Sequence, residues 1–132
     1  MGKFSDTKTI IYIVLALAML LVSCKGGQDY YVYNHTADSL YVLPGTGPDL
    51  SSKDKSTDDY YLVTPTKATH ICLHPETNTG DGLWLLVLKK KTYDMLKDED
   101  FRSDLYDKKL YYPFSRLETK RFEVRIYDKT LE

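Results

Sequence analysis

His70-Ile71-Cys72-Leu73-His74 is the densest grouping of chemically competent side chains in the sequence. On a strand, positions 70, 72 and 74 share one face. Two imidazoles and a thiolate suit zinc or copper. Ligands at i and i+2 can reach one ion, but at ~3.3 Å per residue His70 and His74 lie roughly 13 Å apart on a straight strand. No fourth ligand is marked. His70, Cys72 and His74 are therefore weak metal candidates. The competing reading puts Ile71 and Leu73 in the core and both histidines on a polar face. Asp98, Glu99, Asp100, Asp104 and Asp107 lack the spacing of a calcium loop and fit a solvated helix face. Ser51 and Ser52 have no implied base. The sequence has no phosphate-binding glycine loop, no nucleophile elbow and no His-Glu-x-x-His. These observations imply no cofactor and favour a binding or structural module over an enzyme. A small metal protein or metal-dependent enzyme built on residues 70–74 is the alternative.

A second chemical feature lies near the N-terminus. Ile10 to Val22 is an uncharged apolar run, preceded by Lys3 and Lys8 and ended by Ser23-Cys24. A spanning helix needs about 20 apolar residues, and this shorter run fits the core of a signal peptide. Leu21-Val22-Ser23-Cys24 resembles a bacterial lipobox. The resemblance implies a diacylglyceryl thioether on Cys24, cleavage before Cys24 and acylation of the new amino group. An ordinary secretory site with an incidental Cys24 is the second possibility. Residues 1–23 are thus expected to be a lipoprotein signal peptide, 24–29 a tether, and 30–132 a single small domain. One acyl chain holds a membrane only marginally, whereas two or more hold it stably, at about 0.8 kcal/mol per buried CH₂. The thioether would take the sulfur that an internal disulfide to Cys72 requires, so none is expected. Lys25 stands where enteric-type lipoproteins carry an inner-membrane retention Asp. That favours the outer membrane, with its periplasmic and surface faces both open.

The elements that must position these groups are mostly strands. Twelve tyrosines, with many Val, Leu and Ile, favour pleated surfaces. The net charge of −1 is spread without a basic stripe, which argues against nucleic acid. Tyr30–Tyr33 and Ser39–Leu43 are predicted to form a hairpin around a turn at 34–38. Residues 45–59 are polar and rich in turn formers, and are expected to form a solvated insertion. Short strands are predicted at 60–63 and 68–73. Leu83-Trp84-Leu85-Leu86-Val87-Leu88 is apolar on both pleat faces, which calls for a central strand covered on both sides. One helix is predicted at 98–108. A strand at 110–112 should lie at an edge, or end there, because of Pro113, and a capping box should start a helical turn at Ser115. In 121–128, Phe122, Val124 and Ile126 alternate with Glu123, Arg125 and Tyr127. The predicted fold is mainly β with one helix, α+β at the margin: a small antiparallel β-sandwich-like domain behind a cleaved signal helix.

This order of elements resembles small uncharacterised lipoproteins of Bacteroidetes. The resemblance rests on the leader with Cys24, on Tyr33-Asn34-x-Thr36-x-Asp38-Ser39-Leu40-Tyr41-Val42, on the Trp84 strand, and on Leu117 before Phe122-Glu-Val-Arg-Ile-Tyr127. It implies a lipid-anchored envelope protein with a mostly β domain and brings no activity. Tyr30, Tyr31, Tyr33, Tyr60, Tyr61, Tyr111 and Tyr112 are candidates for an aromatic surface toward an envelope protein or glycan, although sheet packing accounts for them equally.

Overall fold

Seven strands build two sheets that enclose the main core. They are β1 (Gln28–Asn34), β2 (Leu40–Gly45), β3 (Tyr61–Val63), β4 (Thr69–Leu73), β5 (Gly82–Lys89), β6 (Lys108–Pro113) and β7 (Glu123–Ile126). Two short helices, α1 (Lys90–Asp98) and α2 (Phe114–Thr119), follow β5 and β6. The structure, a computed structural model, describes residues 27–73 and 81–132. The signal segment, Cys24, the start of the tether and His74 lie outside the described residues. One sheet has the order β4-β1-β7 and the other β3-β2-β5-β6. Pairing is antiparallel except between β1 and β7, which run parallel. The domain is the small β-rich sandwich that the composition implied.

The main core lies between the sheets. Tyr30 and Val32 of β1, Ile71 of β4, and Val124 and Ile126 of β7 meet Leu40, Val42, Val63, Leu83, Leu85, Val87 and Leu110 of the second sheet. The opposite face of β5 needs its own cover. Leu86 and Leu88 pack there with Leu43, Tyr60, Tyr93, Leu96 and Phe101 in a second cluster. A sandwich and a helix on one face were alternatives in the sequence, and the fold uses both. β6 is an edge strand, as Pro113 allows.

Three expectations are corrected. β1 and β2 do not form a hairpin, because they belong to different sheets. Residues 35–39 instead arch across the core. Buried Asn34 (3% exposed) donates through Nδ2 to the carbonyls of Asp38 (2.7 Å) and Val63 (2.9 Å). Its Oδ1 accepts the Thr36 amide at 2.9 Å, with the Thr36 hydroxyl at 2.6 Å. The same side chain therefore satisfies the backbone on both sides of the crossing, which a buried turn requires. The helix lies at 90–98 rather than 98–108. Asp100 and Phe101 both have positive φ (59° and 54°), and the Phe101 amide donates back to the Leu96 carbonyl at 2.8 Å. This left-handed termination turns Phe101 into the second cluster. Ser115 caps nothing: α2 begins at Phe114 with no side-chain cap. Its end repeats the first termination, with positive φ at Arg121 and Phe122 and the Phe122 amide on the Leu117 carbonyl at 2.8 Å. That shortens the last strand to Glu123–Ile126.

Residues 45–59 are solvated in part, with 53–59 exposed throughout, but the segment is also fastened to the fold. Ser52 is fully buried. Its amide donates to Asp104 Oδ1 at 2.9 Å and its hydroxyl to the Leu105 carbonyl at 2.7 Å. The Asp54 amide bonds the Phe101 carbonyl at 2.9 Å. The segment is thus a fastened lid on the second cluster.

Asn34→Ala removes the Asn34 partner of the Val63 carbonyl and of the Thr36 amide and leaves the Asp38 carbonyl to the Thr36 hydroxyl alone, and should lower stability to urea by about 2–3 kcal/mol. A loss under about 0.5 kcal/mol, the range of ordinary surface changes, would contradict the role given to the arch.

Candidate functional site

Among the described residues, the outer face of the three-stranded sheet gathers the exposed Tyr31, His35 and Tyr127. Strand alternation puts Asp29, Tyr31 and Tyr33 of β1 on this face, with His70 and Cys72 of β4 and Glu123 and Arg125 of β7. Their neighbours Tyr30, Val32, Ile71, Val124 and Ile126 are buried on the other side. His35 and Tyr127 extend the row just beyond β1 and β7. Tyr31 and Tyr127 remain 41% and 48% exposed.

These groups order one another. His35 stacks on Tyr127 with centroids 4.6 Å apart and planes 12° apart. Tyr33 lies parallel to His35 at 6.5 Å. The Arg125 guanidinium covers the Tyr33 ring at 4.3 Å, a cation–π contact. Its Nη1 lies 3.0 Å from His35 Nε2 and its Nη2 donates to Glu123 at 3.2 Å. Arginine can only donate, so His35 Nε2 is the acceptor in this contact. At the other side, His70 Nε2 meets Asp29 Oδ1 at 2.5 Å and its ring lies 5.4 Å from Tyr31.

The metal reading fares differently. Ile71 is buried and Leu73 packs on the core, so His70 and Cys72 do share the outer face. His70 is engaged by Asp29. Cys72 is disulfide-bonded, which corrects the expectation that no disulfide forms and removes a thiolate ligand. His74 lies outside the described residues. Among the described residues, no three His, Cys, Asp or Glu side chains are placed to hold a metal ion. The acidic residues of 98–107 do not converge either. Asp104 accepts the Ser52 amide, Asp107 the Lys89 amide at 2.7 Å, and Glu99 the Ser103 amide at 3.1 Å.

The seven candidate tyrosines divide. Tyr30 and Tyr60 are buried, while Tyr61 and Tyr112 pack against the main core. Tyr111 lies beside Trp84 at 4.6 Å on β6, and its hydroxyl donates to Asp81 at 2.8 Å. The glycine at 82 is required there, because a Cβ would stand 2.5 Å from the Tyr112 carbonyl oxygen. Only Tyr31 and Tyr33 join the outer face. His35, Arg125 and Tyr127 were missed. Alternation in 121–128 marked the last two as solvent-facing, but only the β1–β7 pairing sets them beside Tyr33.

A groove borders this face between α2 and β7. It encloses about 310 Å³ and is lined by Tyr112, Arg116, Lys120, Glu123, Arg125 and Tyr127, among others. Burial pushes the Tyr112 phenol above its ordinary value of 10.0, an effect that Arg116 partly offsets. Burial also raises Tyr30 and Tyr60. The Tyr60 hydroxyl approaches Ser52 without reaching hydrogen-bond geometry.

These tyrosines set an alkaline limit. A phenol whose folded value is raised keeps its proton in the native state after the unfolded chain has released it. Stability is therefore intact below pH 10.0 and falls as pH rises through the raised folded values. Urea titrations across that range, followed by tyrosinate absorbance, should show unfolding and ionisation advancing together. Ionisation of every tyrosine at its ordinary value without loss of structure would contradict this. A double-mutant cycle of Arg125→Ala and Tyr33→Leu should return a coupling of about 0.5–1 kcal/mol for the exposed stack. Comparison of the chain with protein-family models, curated proteins and solved structures finds no match.

Proposed function

We propose that this chain is a lipid-anchored lipoprotein of the bacterial cell envelope, held at the outer membrane, and that it acts as a binding module rather than an enzyme. The observation that carries the reading is Cys24, placed directly after an apolar run ending in Leu21-Val22-Ser23. Acyl groups on Cys24 would tether the sandwich through a short polar segment. The resemblance to Bacteroidetes lipoproteins agrees with this address, and Lys25 favours the outer membrane. The module's contact surface is the outer face of the three-stranded sheet. Tyr and Arg are enriched where proteins meet partners, and here Tyr31, Tyr33, Arg125 and Tyr127 stand together on a sheet face that no other layer of the described fold covers. An envelope protein or glycan is the partner that such a face suits.

The chain's other cysteine besides Cys72 is Cys24. A sulfur atom carries a thioether or a disulfide, never both, so the disulfide at Cys72 and lipidation of Cys24 are alternatives, and we take the lipidated form as the mature one. This makes the proposal directly testable. Cells fed an alkyne fatty acid should label the wild-type protein in the membrane fraction. Cys24→Ala should lose the label and leave the membrane. Retention of Cys24→Ala in the membrane, or recovery of Cys24 from wild type joined to Cys72, would overturn the reading.

A further inference from the structure

The groove beside β7 has three properties that together select a ligand. First, it follows an open sheet edge. Among the described residues β7 pairs only with β1, and the Phe122 and Ile126 carbonyls accept from Tyr31 (3.0 Å) and His35 (2.7 Å). Alternation turns the backbone of Glu123, Arg125 and Tyr127 the other way. The Glu123 amide is already taken by the Lys120 carbonyl at 3.1 Å, and the Tyr127 amide by the Thr130 hydroxyl at 3.1 Å. The Arg125 amide and carbonyl and the Glu123 carbonyl are therefore the backbone groups left toward the groove among the described residues.

Second, the groove is cationic in a chain of net charge −1. Arg125 is matched by Glu123. Arg116 and Lys120 also line the groove. Both are exposed, and the ion pairs among the described residues do not include them. Third, the wall is aromatic. Tyr127 stacks one ring face on His35 and is still 48% exposed, and Tyr112 supplies a phenol.

We propose that this groove binds an acidic saccharide, with Arg116 and Lys120 holding a sugar carboxylate and Tyr127 packing against the ring. The assignment deepens the binding reading above and rests on its outer face. Guanidinium and ammonium groups make charge-assisted hydrogen bonds to a carboxylate. Glu123 and the Arg125 backbone pair offer acceptors and a donor suited to hydroxyls. A volume of about 310 Å³ lies at the small end of ligand pockets, in the range of a short saccharide segment. An extended acidic peptide fits less well. Strand addition draws its affinity from a run of main-chain bonds, and this edge offers a single amide donor with two carbonyls.

The test uses the full-length protein, purified in a neutral detergent. Calorimetric titration with a galacturonic acid tetramer is set against the matched neutral galactose tetramer. The acidic tetramer should bind about tenfold more tightly, since a hydrogen bond to a charged group is worth about 1.5–3 kcal/mol. Arg116→Gln with Lys120→Gln should abolish that preference while leaving the melting temperature unchanged, because both side chains are exposed. Tyr127→Ala should weaken both sugars alike. Equal affinity for the two tetramers, a preference that survives the double substitution, or tighter binding of hexaglutamate than of the acidic sugar would overturn the proposal. If neither sugar binds, the groove assignment fails. The anchored-module reading is then judged separately, by the Cys24 label.

Discussion

Strand β5 is apolar on both pleat faces, and the rest of the fold follows from covering each of them. Leu83, Leu85 and Val87 face inward, while Leu86 and Leu88 face outward. Leaving any of these leucines in water would cost about 1.5–3 kcal/mol. The inner face takes a second sheet. The outer face takes α1, the 45–59 segment and Phe101. With three layers in place, the outer side of the three-stranded sheet is the sheet face that no other layer of the described residues covers. That residual face is where Tyr31, Tyr33, Tyr127, His35, His70 and Arg125 collect, so the candidate surface is a consequence of how β5 is buried.

Two devices make this layering possible in so short a chain. The Asn34 arch carries the chain from one sheet to the other without stranding a buried carbonyl. The left-handed ends of α1 and α2 then aim a phenylalanine into each core. Non-glycine residues with positive φ are costly, on the order of 1 kcal/mol or more each. Burying Phe101 against Tyr60 and Tyr93, and Phe122 against Tyr30, offsets that cost.

Local pattern was enough to locate the strands, the two-sided β5 and the edge position of β6, because alternation and proline act within a few residues. It was not enough to tell a hairpin from an arch. Asn34 to Asp38 has the same polar turn composition in either case, and only contacts to Val63 and Ile126, far along the chain, decide between them. The helix was displaced because Phe101 satisfies helical spacing with Leu105, while its positive φ reverses the chain at that point. The site was legible in part. Residue pattern placed Ile71 inside with His70 and Cys72 opposite. The stack of Arg125, Tyr33, His35 and Tyr127 was invisible, since a parallel pairing of the first and last strands leaves no mark in either segment. The disulfide at Cys72 was missed because the lipobox assigned the Cys24 sulfur elsewhere.

The outer sheet face is the contact surface proposed for this protein. Hydroxyl-radical footprinting tests it most directly, comparing the protein in intact cells with the same protein purified. Tyr31 and Tyr127 should be protected in cells, while Met95, exposed on α1 across the molecule, should react equally in both. Protection of Met95 with unchanged reactivity at Tyr31 and Tyr127 would contradict the account.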